Sequence, residues 1–244
     1  MLKPRVIIVL QLNDGVLFRT REFRPDYRYT MNFVGAANAD EVVILDITRN
    51  PTPESRSRFY AVAAKYASQC FTPISVGGHI QTLAEIRMLM TDVGADKVVV
   101  GSQLWRDPGF GPAIAEKFGR QMLTAAVDYR NYQAFYDQGS MSTGYTARGA
   151  AQELYDIGAG EILLTSIERD GSLSGYDLDT VKWVSDAVNI PVIANGGCGN
   201  GKHMAEAFKA GASGAATANI FHITDTGLAS FKRQIADGGI EVRP

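Results

Sequence analysis

Two stretches of the chain, PISVGGHIQTLAEIRMLMTDVGADKVVVGSQL (residues 73–104) and PVIANGGCGNGKHMAEAFKAGASGAATANIF (residues 191–221), follow one pattern. Gly77-Gly78 aligns with Gly196-Gly197 at an offset of 119, and Gly94-Ala95 with Gly211-Ala212 at 117. DEVVILDI (40–47) aligns with GEILLTSI (160–167) at 120. The apolar run that ends in Gln11 aligns with LTAAVD, which ends in Asp128, at 117. A period of this kind in a 244-residue chain describes two similar halves, about 1–120 and 121–244.

Each half alternates short apolar runs with amphipathic stretches. Strands are expected at 5–11, 41–47, 73–77, 97–101, 122–128, 161–166, 191–195 and 214–218. Helical patterns lie at 30–38, 53–68, 81–92, 107–118, 145–157, 177–188, 201–210 and 224–237. Eight strands alternating with eight helices predict a parallel sheet closed into one (β/α)8 barrel, a single domain over 1–244. A doubly wound open sheet is the alternative. It lacks support because no G-x-G-x-x-G follows the first strand.

The net charge of −2 excludes a nucleic-acid-binding surface of the usual basic kind. No apolar run approaches the ~18 residues of a membrane span, and the N-terminus has too short an apolar stretch for a signal peptide. A cytoplasmic protein is expected. Cys70 and Cys198 stand far apart without metal-ligand spacing and read as reduced packing thiols; neither a metal nor a cofactor is expected. His203 and His222 read as solvated or capping, and Trp105 and Trp183 as packing residues.

Three groups of residues carry chemistry. Glycine pairs at strand ends let backbone N–H groups approach an anion. Gly78 and His79 with Gly101 and Ser102 would form one phosphate site, and Gly196 and Gly197 with Ala218 and Asn219 a second; each pair also serves a plain tight turn. Asp46, Asp128 and Asp170 (with Gly171 beside it) sit at or just past strand C-termini, where carboxylates converge at a barrel top. The repeat puts Gln11 opposite Asp128, in a carboxylate-like position. Arg5, Glu41, Lys97 and Glu161 begin their strands; they form either a solvated rim or a neutral ring across the barrel axis. RNYQAFYDQGSMSTG (130–144) reads as a hairpin or lid over the mouth.

GAGEILLTSIERDGSLSGYDL (158–178), IPVIANGGCGN, SVGGHI, AAVDYR and EVVILDIT together resemble the HisF family, the cyclase subunit of imidazole glycerol phosphate synthase. The resemblance implies a (β/α)8 barrel with a glutaminase partner docked at its bottom face. Ammonia would cross the barrel to a bis-phosphorylated ribulosyl intermediate at the top, in a lyase and cyclase reaction of histidine biosynthesis. It implies that Asp128 and the residue at Gln11 are the acid–base pair, and that Arg5, Glu41, Lys97 and Glu161 are the ammonia gate. The sequence departs from that pattern at Gln11, at Arg19 for a lysine, at His79 for a glycine, at Gly101 for an asparagine, and in a shortened segment 20–39. SQCFTPISVGG is similar to paralogues that serve a glutaminase and a sugar-modifying enzyme in surface-polysaccharide (lipopolysaccharide-type) biosynthesis. There the barrel would channel ammonia with little chemistry of its own.

Overall fold

The computed structural model describes residues 3–28, 39–218 and 227–243, with side chains 26–28 left aside. The strands in chain order are β1 (Arg5–Asn13), β2 (Val16–Arg21), β3 (Arg24–Arg28), β4 (Glu41–Asp46), β5 (Ile74–Gly77), β6 (Lys97–Val100), β7 (Leu123–Arg130), β8 (Gln133–Tyr136), β9 (Met141–Thr146), β10 (Glu161–Ser166), β11 (Val192–Asn195) and β12 (Gly214–Thr217). Eight of them, β1, β4, β5, β6, β7, β10, β11 and β12, pair in parallel in that order, and β12 returns to β1. The closed (β/α)8 barrel follows, and the open doubly wound sheet is excluded.

The helices are α1 (Pro53–Ala67), α2 (Leu83–Met88), α3 (Ser102–Arg106), α4 (Phe110–Phe118), α5 (Ala147–Asp156), α6 (Leu178–Ser185), α7 (Gly201–Lys209) and α8 (Leu228–Asp237). Their starts are written in the sequence. Thr52, Thr82, Thr146, Asp177 and Asn200 each place a side-chain oxygen on a first-turn N–H. Two expected helices differ in detail: 81–92 becomes α2 followed by one π turn, Leu89–Val93, and 107–118 becomes α4, which starts at Phe110 and is preceded by the additional short helix α3. The helix expected at 30–38 lies outside the described residues.

The period-2 alternation of each stave sorts its side chains between two cores. The larger fills the layer between staves and helices. The smaller fills the bore: Ile7, Val9, Val43, Val99, Leu163, Ile193 and Ala216. On the same inward register lie Arg5 below and Gln11 above Ile7 and Val9, and Thr124 below and Asp128 above Ala126. The charges at the strand starts and the polar groups at the strand ends therefore sit at opposite ends of one apolar bore.

Strand register corrects the repeat at one point. Leu45 pairs with Gly77, and its repeat mate Thr165 pairs with Asn195. The offset at the glycine turns is thus 118, not 119: Gly78 corresponds to Gly196, and His79 to Gly197. The first turn needs Gly78 sterically and the second needs Gly196. A Cβ on Gly78 (φ +97) would lie 2.3 Å from the Asp46 carbonyl oxygen, and one on Gly196 (φ +88) 2.6 Å from that of Ser166. His79 adopts φ 56, so the first turn carries an imidazole where the second has bare backbone.

Two antiparallel hairpins rise from repeat-related staves. β1 turns at Asp14-Gly15 into β2, pairing Gln11 with Phe18; β7 turns at Asn131-Tyr132 into β8, pairing Asp128 with Phe135. All four turn residues have positive φ, as two-residue hairpin turns of this kind demand. Residues 130–144 thus form the expected hairpin, β8 with β9. The β2–β3 hairpin was not expected: residues 20–28, read as part of a cut-back loop, run into paired strands.

Candidate functional site

The C-terminal ends of the staves open on a cavity of about 550 Å³ that Gln11 and Asp128 both line. They reach it from β1 and β7, four staves apart, so they face one another across the mouth.

Asp128 sits on a short polar relay. Thr165 and Asn195 occupy the same level on the next two staves. Asn195 Nδ2 donates to Thr165 Oγ1 at 3.2 Å. The Thr165 hydroxyl in turn donates to the Asp128 carboxylate, which favours its ionised form. Burial works the other way and is the stronger effect, and the nearby Asp170 carboxylate adds to it; together they push Asp128 up to about 7. A carboxyl titrating near neutrality, with one edge on a cavity, is fit to take and return a proton.

Gln11 is buried, and its Oε1 accepts a hydrogen bond from Thr20 Oγ1 at 2.9 Å. The amide NH2 is what it has left to offer a ligand. It can orient one but cannot take its proton.

The remaining carboxylates do other work. Asp46 accepts from Arg56 Nη1 at 2.7 Å and from the Thr48 backbone N–H at 3.0 Å; it is a structural ion-pair partner rather than a third free acid. Arg56 Nη1 also donates to the Gly78 carbonyl at 2.9 Å, pinning the first glycine turn. Asp170 Oδ2 accepts the Phe23 backbone N–H at 3.1 Å, so it anchors the tip of the β2–β3 hairpin while its charge bears on Asp128.

Gly78, His79, Gly101 and Ser102 all line the large cavity. His79 Nε2 meets the Thr48 carbonyl oxygen at 2.8 Å and can only donate there. Asp170, Gly171, Gly196, Gly197 and Ala218 line a second, much smaller recess of about 20 Å³, which Gln11 also touches. Asn219, assigned to that second group, lies outside the described residues, as does His222.

At the other end of the bore the four charges close on themselves. Arg5 Nη1 bonds Glu41 Oε2 at 2.5 Å, and Arg5 Nη2 bonds Glu161 Oε1. Lys97 Nζ lies 3.2 Å from Glu41 Oε2 and 3.0 Å from Glu161 Oε2. Ser75 and Thr124, from two further staves, donate to Glu41 and Glu161 at 2.8 and 3.3 Å. The side chains of Glu41 and Glu161 are only 2% and 6% exposed, which rules out the solvated-rim reading.

The family model described as "Histidine biosynthesis protein" matches residues 8–226. The chain belongs to that family. Its HisF-like motifs therefore stand on the barrel of the histidine biosynthesis family, with EVVILDIT, SVGGHI and AAVDYR all at stave ends around one mouth.

Several residues of the site escaped the sequence reading: Thr20, Arg56, Thr165 and Asn195. Thr165 and Asn195 had a usable signal, being polar residues that end otherwise apolar runs. Trp183 is a correction of another sort. It is half-exposed and stacks on Tyr132 at 5.4 Å between centroids, instead of packing in the core. Cys198 is buried as expected; burial pushes its thiol up to about 11 and keeps it inert. No described helix is long and apolar enough to cross a membrane.

Proposed function

We propose that this member of the histidine biosynthesis family is a HisF-type ammonia-using lyase and cyclase. Its ligand is a bis-phosphorylated ribulosyl intermediate held over Asp128, with Gly78, His79, Gly101 and Ser102 at one phosphate and Gly196, Gly197, Ala218 and Asn219, beside Asp170 and Gly171, at the other. A class I glutaminase docks at the bottom face and supplies ammonia through the ring of Arg5, Glu41, Lys97 and Glu161. The observation that carries this reading is the pairing of a neutral, cross-linked charge ring at one end of the bore with a cavity around a near-neutral carboxyl at the other. A charged ring inside a barrel is costly to maintain without a use, and ammonia is a small polar solute that such a ring can pass.

Gln11 favours a second reading. With one member of the acid–base pair unable to ionise, the barrel would serve chiefly as the ammonia-channelling partner of a glutaminase for a sugar amidotransferase in surface-polysaccharide biosynthesis. The two are separated by Gln11→Asp, assayed with ammonium as nitrogen donor and the bis-phosphorylated intermediate as acceptor. The first reading expects turnover to rise by about tenfold or more, since each acid–base partner contributes ~10²–10⁴. No gain would show that the cavity is shaped for a different acceptor, and the second reading would stand.

Partner docking has its own marker. Phe71 projects fully into solvent from the loop that precedes β5, on the same face as the charge ring. An unsupported aromatic on that face is suited to fill a partner pocket. Phe71→Ala is expected to weaken glutaminase binding about tenfold or more, measured by titration calorimetry, without changing turnover on free ammonium.

A further inference from the structure

The turn of the β8–β9 hairpin, residues 137–140, bridges two walls of the large cavity. On one side the Asp137 backbone N–H donates to Ser102 Oγ at 3.0 Å, and the Asp137 carboxylate forms an ion pair with Arg106 on α3. On the other side Gln138 Nε2 donates to the Thr48 carbonyl at 3.3 Å, the same oxygen that His79 meets. Arg106, Asp137 and Gln138 all line the cavity beside Gly101 and Ser102. The hairpin therefore lays a carboxylate against the one cationic side chain on α3, at the edge of the first glycine turn.

A carboxylate and a phosphate offer an arginine the same planar pair of acceptor oxygens, and phosphate brings the greater charge. We propose that Arg106 is the cationic ligand for a phosphate group bound at the Gly78–Ser102 turn, and that Asp137 occupies Arg106 until that phosphate arrives. This rests on the reading of that turn as a phosphate site. Arrival of the ligand exchanges one anion for another on Arg106. It also frees the Ser102 hydroxyl from the hairpin, so that binding and lifting of residues 137–140 are coupled. Positive φ at Asp137, Gln138 and Gly139 gives the turn its tight shape. Both Arg106 and Asp137 are partly exposed, with side chains 47% and 31% accessible, so a ligand can reach them and substitutions there leave the core intact.

The test is titration of the intact protein with inorganic phosphate in a chloride buffer, followed by phosphorus NMR. Arg106→Ala is expected to weaken binding about tenfold or more, the loss typical of a charge-assisted pair, and Arg106→Lys to recover part of it. Asp137→Asn is expected to tighten binding severalfold. In the Arg106→Ala background the Asp137→Asn gain should vanish, because the carboxylate acts by holding that arginine. If the gain persists there, Asp137 is only a nearby negative charge and the exchange is overturned. Binding by the wild type that is unchanged in Arg106→Ala overturns the inference, whichever of the two glycine turns the phosphate occupies. No binding by the wild type or by Asp137→Asn overturns both.

Discussion

Asp128→Asn is expected to lower ammonia-dependent turnover by ~10²–10⁴, the loss that follows removal of a positioned general acid or base. The pH profile is the sharper reading. Asp128 titrates near 7 because burial and the Asp170 charge outweigh the Thr165 hydrogen bond. Wild-type activity that depends on the ionised base should rise through about pH 7 and level off above it; the residual activity of the Asn variant should lack that step. Stability moves the other way. The folded-state value lies above that of an unfolded aspartic acid, so the native state holds its proton more tightly. The stability linked to this group is fully present below about pH 4, declines as the pH rises, and is lost above about 7. Asn carries no charge to desolvate. At pH 8 Asp128→Asn should therefore be more stable than the wild type, by about 2–4 kcal/mol if the cavity stays dry and less as water enters it. The advantage should shrink towards zero near pH 4. Denaturant melts at both pH values check this, and equal stability at both would mean that Asp128 is well solvated and titrates as an ordinary carboxylate. The same variant should bind a glutaminase unchanged, since the bore separates Asp128 from the bottom face.

The barrel was legible because its staves are short apolar runs that recur at a near-constant offset, and inward residues of a stave must alternate. The repeat offset put Gln11 and Asp128 at matching heights, and strand register agrees: Gln11 pairs with Leu45 as Asp128 pairs with Thr165. Other features depend on which stave lies beside which, and a linear repeat does not carry that. The one-residue error at Gly78 arose from aligning Gly-Gly with Gly-Gly, where hydrogen-bond register aligns Gly77 with Asn195. The β2–β3 hairpin did have a local signal in Asp14-Gly15, a turn pair that was read only as the polar end of a strand. Asp46 looked like a third catalytic acid because a strand-end carboxylate is visible in sequence. Its neutralising partner, Arg56, comes from the outward helix α1 and is not. Arg106 was hidden for a similar reason. It ends α3, a short helix that lies before the one expected at 107–118, and only the hairpin folded over the mouth brings a carboxylate to it.

Glu161→Gln is expected to cost about 3–5 kcal/mol, the usual result of stripping one partner from a buried ion network. Glu161 serves both Arg5 and Lys97, so the variant leaves two cations sharing the single carboxylate of Glu41 in the bore. For a chain of this length that corresponds to a fall in Tm on the order of 10 °C. Net charge, more than the number of bonds, sets the cost. Lys97→Met in the same background removes the surplus cation and leaves Arg5 paired with Glu41, so it should recover most of the lost stability although it deletes one more ion pair, Lys97–Glu41. Function separates from stability in that double variant. The ring would be neutral but no longer cross-linked from β6 to β10, and ammonia released by a docked glutaminase would meet an open bore instead of a closed one. Turnover on external ammonium should then approach the wild-type rate, whereas the yield of product per glutamine hydrolysed should fall. A double variant that is stable and still couples glutamine hydrolysis fully to product formation would show that the ring only plugs the barrel and takes no part in passing ammonia.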